Sequence, residues 1–204
     1  MANERAIREL SSLLDRVDAD SSNELNREGA RIRSAKEAVI VSYSPMFSSE
    51  NLNNLTAEEF RDFLLYRNNK HWDCLQRWGG HITANMPRLQ EAIRVLVEEN
   101  VPLRTRLNRL RPKGDAPMIK GLACAVITPI LQIMYPDKYG VLNEISKEGM
   151  KRLDLWPEMP RGPTFAELYE AVNRVLLETA ARLQIDLWTL DMLWWRLVRT
   201  DVPR

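Results

Sequence analysis

Cysteine and histidine are scarce in this chain: Cys74 and Cys124, His71 and His81, in 204 residues. No CxxC pair occurs, so a structural zinc site is not expected, and neither is any other metal or cofactor. Two lone cysteines fit a reducing cytosol, and their spacing leaves a bridge between them open. Net charge is nearly absent as well. With 29 basic and 28 acidic residues the formal charge is +1, so bulk charge selects no class of partner and only local clusters can. Long apolar runs are missing. The run over residues 123–134 is too short for a bilayer and is soon followed by Pro136. The opening MANERAIREL has charges where a secretory signal has its apolar segment. The expectation is a soluble, cytoplasmic protein without a membrane partner. Strand-like alternation, internal repeats and low-complexity tracts are also lacking.

What remains is helical period. Ile7, Leu10, Leu14 and Val17 recur at spacings of three and four, an apolar stripe on a charged helix. A second helix is expected over about 23–41, then a polar loop over 42–54 around Pro45. Thr56 and Glu59 form a capping box ahead of Phe60, Phe63 and Leu64, with the helix running to about 67. Gly79-Gly80 punctuates the chain. Helices follow over 86–99 and after Pro102, and Thr164 caps another after a loop bearing Pro157, Pro160 and Pro163. The chain closes on the tryptophan-rich IDLWTLDMLWWRLVR. The fold class expected is all-α: one domain over 1–204, two helical lobes around a groove.

The least ordinary stretch is residues 118–146, MIKGLACAVITPILQIMYPDKYGVLNEIS. Gly121 permits a tight turn. Ala123 and Ala125 let the next helix pack closely. Val126, Ile127, Ile130, Leu131 and Ile133 surround that helix, which predicts a central position, and Pro129 predicts a kink or local break in it. Tyr139-Gly140 turns the chain, and Val141-Leu142 re-anchors it. Asn143 and Glu144 arrive where a new helix offers free backbone N–H groups. Asn143 reads equally as a plain N-cap or as a functional amide.

The same order of parts resembles the helix-hairpin-helix DNA glycosylase superfamily. There, a hairpin of the form L-P-G-V-G grips the DNA backbone, a buried helix follows, and a loop ending V-D-T or V-D-x-H presents a catalytic aspartate. Ile119, Lys120, Gly121, Leu122 and Ala123 fall on the hairpin. Val141, Leu142, Asn143 and Glu144 fall on the catalytic loop, and Lys151-Arg152-Leu153 on a K-R-L segment of the next helix. The resemblance covers residues 119 to about 154 and implies a helix-hairpin-helix-like core at about 101–156. Two departures stand out: Ala123 replaces the second hairpin glycine, and Asn143 replaces the aspartate. A neutral amide lacks the anionic charge that stabilises an oxocarbenium-like sugar, a demand that carboxylates meet in glycoside hydrolysis. Glu144 is then the first-choice carboxylate and Asp191 the second. Lys120 does not fall on the family's Schiff-base lysine, so lyase chemistry is not implied. The strings NNKHW, PDKYGV-N and IDLW-LD-LWW are similar to small helical proteins of bacterial phage-defence and restriction loci. These include antiphage glycosylases that remove glucosylated hydroxymethylcytosine.

Other residues admit two readings. Arg104, Arg106, Arg109, Arg111, Lys113 and Lys120 stand against Asp115 alone across residues 104–120. This local excess makes either a phosphate track or a solvated helix face. Asn69, His71 and Trp72, with Tyr139, would supply a flat partner and hydrogen bonds for an extruded base; the alternative is core packing. Trp188, Asp191 and Trp195 share a helix face. Asp191 is either a catalytic carboxylate between indoles or a structural group that pairs with an arginine or caps a neighbouring helix.

These readings lead to a metal-independent, monofunctional glycosylase acting on double-stranded phage DNA, with glucosylated hydroxymethylcytosine the first substrate class. A modified-DNA sensor without catalysis is the alternative, and a purely structural helical interaction protein the third.

Overall fold

The structure, a computed structural model, describes residues 3–111 and 118–199. Among these residues it contains twelve α-helices, two short 3-10 turns and no strand, so the chain is all-α as its periodicity predicts. No helix among them is long and apolar enough to cross a membrane.

Helix α1 (Glu4–Ala19) buries Ala6, Leu10, Leu13 and Val17. Ile7 and Leu14 pack at the edge of that stripe, so the buried face is turned slightly from the one expected. The Asn3 side chain caps α1 and donates to the Leu153 carbonyl at 3.0 Å, tying the amino end to the middle of the fold. The expected helix over 23–41 is two: α2 (Glu24–Ser34) and α3 (Lys36–Phe47) meet at Ala35. The latter takes in the first part of the segment predicted as loop, residues 42–47, while 48–54 is irregular apart from a 3-10 turn at Leu52–Asn54. Pro45 cannot donate to the Val41 carbonyl, but Val41 is 70% exposed, so water can serve that oxygen. Phe47, fully buried, anchors the end against Phe63, ring centroids 5.1 Å apart.

Thr56 and Glu59 make the predicted capping box of α4 (Ala57–Phe63). That helix stops earlier than expected, and a separate turn, α5 (Tyr66–Asn69), follows. A 3-10 turn at Leu75–Trp78 leads into α6 (Gly79–Ile82), α7 (Met86–Val97) and α8 (Leu103–Leu110). Then come α9 (Cys124–Met134), α10 (Glu144–Arg152), α11 (Phe165–Leu183) and α12 (Leu187–Arg199). One contiguous apolar core extends from Ala6 in α1 to Trp194 in α12.

Helix α9 is central, as its all-round apolar sequence predicts: every residue from Val126 to Ile133 is buried. Pro129 does not break it. Thr128 Oγ1 accepts from the Leu142 amide at 3.0 Å, so the buried helix holds the loop that delivers Asn143. Gln132 is wholly buried, with neither amide atom hydrogen-bonded among the described residues. An unpaired buried amide is costly, so Gln132→Leu is expected to raise the unfolding free energy by about 1 kcal/mol. Urea unfolding of both proteins measures this; a loss of stability instead would mean the amide is bonded in solution.

Helix α12 packs on α2 and α10. Its approach to α10 depends on Gly149: a Cβ there would meet the Trp194 ring at 2.7 Å. This contact brings the start of α10 to the Asp191 turn of α12.

Candidate active site

A cleft of about 470 Å³ opens between the 66–78 segment, the residues around Gly121, the start of α10 and α12. His71, Trp72, Gly121, Ala123, Asn143, Glu144 and Asp191 all line it. Residues far apart in sequence, singled out by separate arguments, therefore converge on one cavity, whose size lies in the range of small-molecule sites.

The segment carrying His71 and Trp72 is held by backbone geometry. Lys70 and Cys74 both adopt left-handed backbone, φ 62°, at its two ends. Non-glycine residues rarely do so without compensating contacts. Asn69 supplies them. Its Oδ1 accepts from the His71 and Trp72 amides at 2.9 and 2.7 Å, and its Nδ2 donates to the Phe63 and Trp72 carbonyls at 3.1 Å. Asn69 is thus fully buried and committed to backbone. The expectation that it reads a base is corrected: it builds the loop that carries two cleft residues. Trp72 is only 4% exposed and packs edge-on against Phe63 and Trp188. It contributes its indole N–H more than a free stacking face.

That N–H goes to Asp191. Trp72 Nε1 donates to Asp191 Oδ2 at 2.9 Å, and His71 Nε2 lies 3.0 Å from the same oxygen. Asp191 is 4% exposed, yet lines the cleft. Among the described residues no other group bonds its carboxylate, so Oδ1 makes no hydrogen bond there. No arginine pairs with Asp191; Trp72 donates to it, and His71 Nε2 stands within reach. The shared face of Trp188, Asp191 and Trp195 is present too. Trp188 is core, its Nε1 donating to the Ile32 carbonyl at 2.9 Å, while Trp195 is half-buried at the cleft wall.

Asn143 is the N-cap of α10: its Oδ1 accepts from the Ser146 amide at 2.9 Å, and Ser146 Oγ accepts from the Asn143 amide at 3.0 Å. The side chain also lines the cleft, so cap and wall are one residue. Asn143→Ala is expected to cost about 1 kcal/mol of stability, whereas Asn143→Asp keeps the cap and adds favourable charge at the helix start. Thermal unfolding of both separates them. Glu144 stands at the rim, its side chain 85% exposed and 3.1 Å from Lys147. Its place among the candidate catalytic groups is therefore solvated, and Asp191 becomes the enclosed carboxylate.

Gly121 turns the hairpin with φ +90°, and a Cβ there would sit 3.0 Å from Trp78 Cβ. Conformation and space both demand glycine. Leu122 is buried and faces the core, and Lys120 is exposed. The basic cluster is thinner than its sequence. Arg106 is 2% exposed and bonds Glu99, Tyr139 and the Leu96 carbonyl, so as a phosphate contact it is corrected. Arg104 is bound to Glu170, with Nε at 2.8 Å. The Arg111 guanidinium lies 5.2 Å from the Phe165 ring centroid. Lys113 falls outside the described residues. Arg109 and Lys120 are exposed and make no ion pair among the described residues. Tyr139 is likewise corrected: it is buried away from the cleft, donating to Glu99 Oε1 at 2.7 Å.

Sequence reasoning missed Tyr66, Cys74, Ala125 and Arg199 on the cleft wall, and gave Arg77 and Trp78 no definite role. Burial, then the Glu28 carboxylate, push the Tyr66 phenol up to about 12, so it stays a donor. Trp78 is 37% exposed and Trp195 half-buried. These two, with Tyr66, are the aromatic groups that a planar ligand can reach. Arg77 and Arg199 add positive charge to the same wall. Nothing in local sequence marks these residues, because the cleft forms only when α12 meets the 66–78 segment. Both cysteines are free thiols. No cluster of metal ligands occurs among the described residues.

Comparison of the chain with protein-family models, with curated proteins and with solved structures finds no match.

Proposed function

We propose that this chain is a monofunctional DNA glycosylase. It turns a modified base out of double-stranded DNA into the cleft and hydrolyses its N-glycosidic bond. The observation that carries this reading is the enclosure of Asp191, a buried carboxylate with one oxygen free, among accessible aromatic rings and beside the Gly121 turn. In the reaction the C1′–N bond breaks and a water oxygen bonds C1′. The water's proton passes to Asp191, and the departing base takes a proton from solvent, leaving an abasic site. Anionic Asp191 offsets the charge that grows on the sugar, as carboxylates do in glycoside hydrolysis. Trp78, Trp195 and Tyr66 offer stacking surface that offsets the unstacking of the base. Arg109, Lys120, Arg77 and Arg199 meet phosphate. Glucosylated hydroxymethylcytosine in phage DNA is the substrate class to test first, which gives the protein an antiphage role in the cytoplasm.

The test incubates the pure protein with glucosylated phage DNA and with unmodified DNA, and measures freed base and abasic sites. Release from the modified DNA alone is the expected result. A second reading, a modified-DNA sensor without catalysis, is favoured by the capping of Asn143 and the solvation of Glu144. It predicts selective binding without release. In both readings, binding weakens steeply with salt. Changing Arg109 and Lys120 together to Glu reduces that slope by about two phosphate contacts. Salt-insensitive or absent binding would leave a helical interaction protein.

A further inference from the structure

His71 lies beside the cleft with chemistry that the hydrolytic reading leaves unused. Its side chain is 1% exposed, and neither ring nitrogen has a hydrogen-bond partner among the described residues. A buried polar group without a partner is costly and calls for a cause. The ring is firmly placed. It stacks on Trp72 at 5.3 Å and 21°, lies against Trp188 at 4.8 Å, and its peptide N–H is held by Asn69. Nε2 is within bonding reach of Asp191 Oδ2, at 3.0 Å, but turned off the line of a good hydrogen bond. The other charged groups on this cleft, Asp73, Arg77, Glu144 and Arg199, are exposed, so Asp191 is the enclosed charge that His71 meets.

We propose that His71 is a positioning residue for Asp191. Its Nε2–H donates to Oδ2 across the 3.0 Å separation, and Trp72 Nε1–H donates to the same oxygen. Two donors on one oxygen fix the rotation of the carboxylate and hold Oδ1 towards the reacting sugar. Nε2 then carries a hydrogen, because a carboxylate oxygen accepts and cannot donate. The hold on the sugar rests on the glycosylase reading; the link between His71 and Asp191 does not.

The experiment uses the full chain with 15N-labelled histidine rings. Only His71 and His81 contribute, and His81 is exposed, so it serves as the internal control. Ring 15N shifts of the wild type are expected to show His71 as the Nε2–H tautomer and His81 as a mixture. Asp191→Leu is expected to abolish the His71 preference. In parallel, kcat and KM for base release are measured for His71→Leu and His71→Gln. Loss of the donor in His71→Leu is expected to lower kcat by roughly 10²-fold, the scale of a small misplacement, with KM little changed. His71→Gln, which keeps an N–H at similar reach, is expected to recover most of it. An Nδ1–H tautomer in the wild type, or equal losses in the Gln and Leu variants, overturns the proposal. If the wild type releases no base on any substrate, the glycosylase reading fails, while the tautomer still decides the pairing of His71 with Asp191.

Discussion

Asp191→Asn is expected to slow single-turnover release of the modified base by roughly 10³-fold, about 4 kcal/mol in the transition state. The substitution preserves shape and keeps an acceptor for Trp72 Nε1–H, so the cleft should remain formed. What it removes is negative charge. In a site this enclosed, at 4% exposure, a charge acts through a medium less polarisable than water and counts for more. DNA affinity should change little, because the residues proposed to meet phosphate lie elsewhere and one carboxylate near DNA is if anything repulsive. Glu144→Gln makes the contrast. At 85% exposure and 3.1 Å from Lys147, the Glu144 carboxylate is solvated and partly neutralised, so its loss should cost less than about tenfold. Measuring both variants on one modified duplex ranks the two carboxylates. A large loss at Glu144 and a small one at Asp191 would reverse the assignment.

That ranking could not be read from the chain. Sequence order puts Glu144 next to the position where the resembled superfamily carries its aspartate, and Asp191 forty-seven residues later on another helix. Only the folded cleft, which both line, shows that they meet, and only burial shows which carboxylate is enclosed. Elements set by local chemistry were readable. The Thr56 capping box, the Thr164 cap, the all-round apolar α9 and the closing tryptophan helix all stand where their patterns predict. Elements whose local signal competes with tertiary contacts were not. Pro45 and its serine neighbours read as loop, yet Phe47 reaches the core and draws α3 through them. The basic cluster over 104–120 read as one surface, although a helix must turn one of its arginines inward. Arg106 is that residue, on the face shared with Leu107 and Leu110.

Arg106→Leu is accordingly expected to be the most damaging single change outside the apolar core. The guanidinium donates to the Leu96 carbonyl at 2.6 Å, to Tyr139 Oη at 2.7 Å and to Glu99 Oε1 at 2.9 Å. It thereby joins the end of α7, helix α8 and the loop that leads from α9 to Asn143. Leucine fills part of the volume but removes the donor to the Leu96 carbonyl and to Tyr139 Oη, while Glu99 Oε1 keeps only the Tyr139 hydroxyl. Removing one member of a buried pair costs about 3–5 kcal/mol. The lower end applies because Glu99 is 26% exposed and keeps Lys138 at 2.6 Å. Urea unfolding at neutral pH measures the loss. The acid limb gives an independent check. Burial pushes the Glu99 carboxyl up, but hydrogen bonds from Lys138, Tyr139 and Arg106 outweigh it and hold the group below its ordinary value of 4.5. A depressed carboxyl adds stability that is complete above that value and is lost as pH falls through the folded one. The difference between wild type and Arg106→Leu should therefore narrow as the solution is acidified below 4.5. A difference that stays constant with pH would mean that Arg106 acts through packing and the Leu96 carbonyl rather than through the Glu99 charge. Because the same guanidinium braces the approach to Asn143, the variant should also lose base release beyond its loss of folded protein.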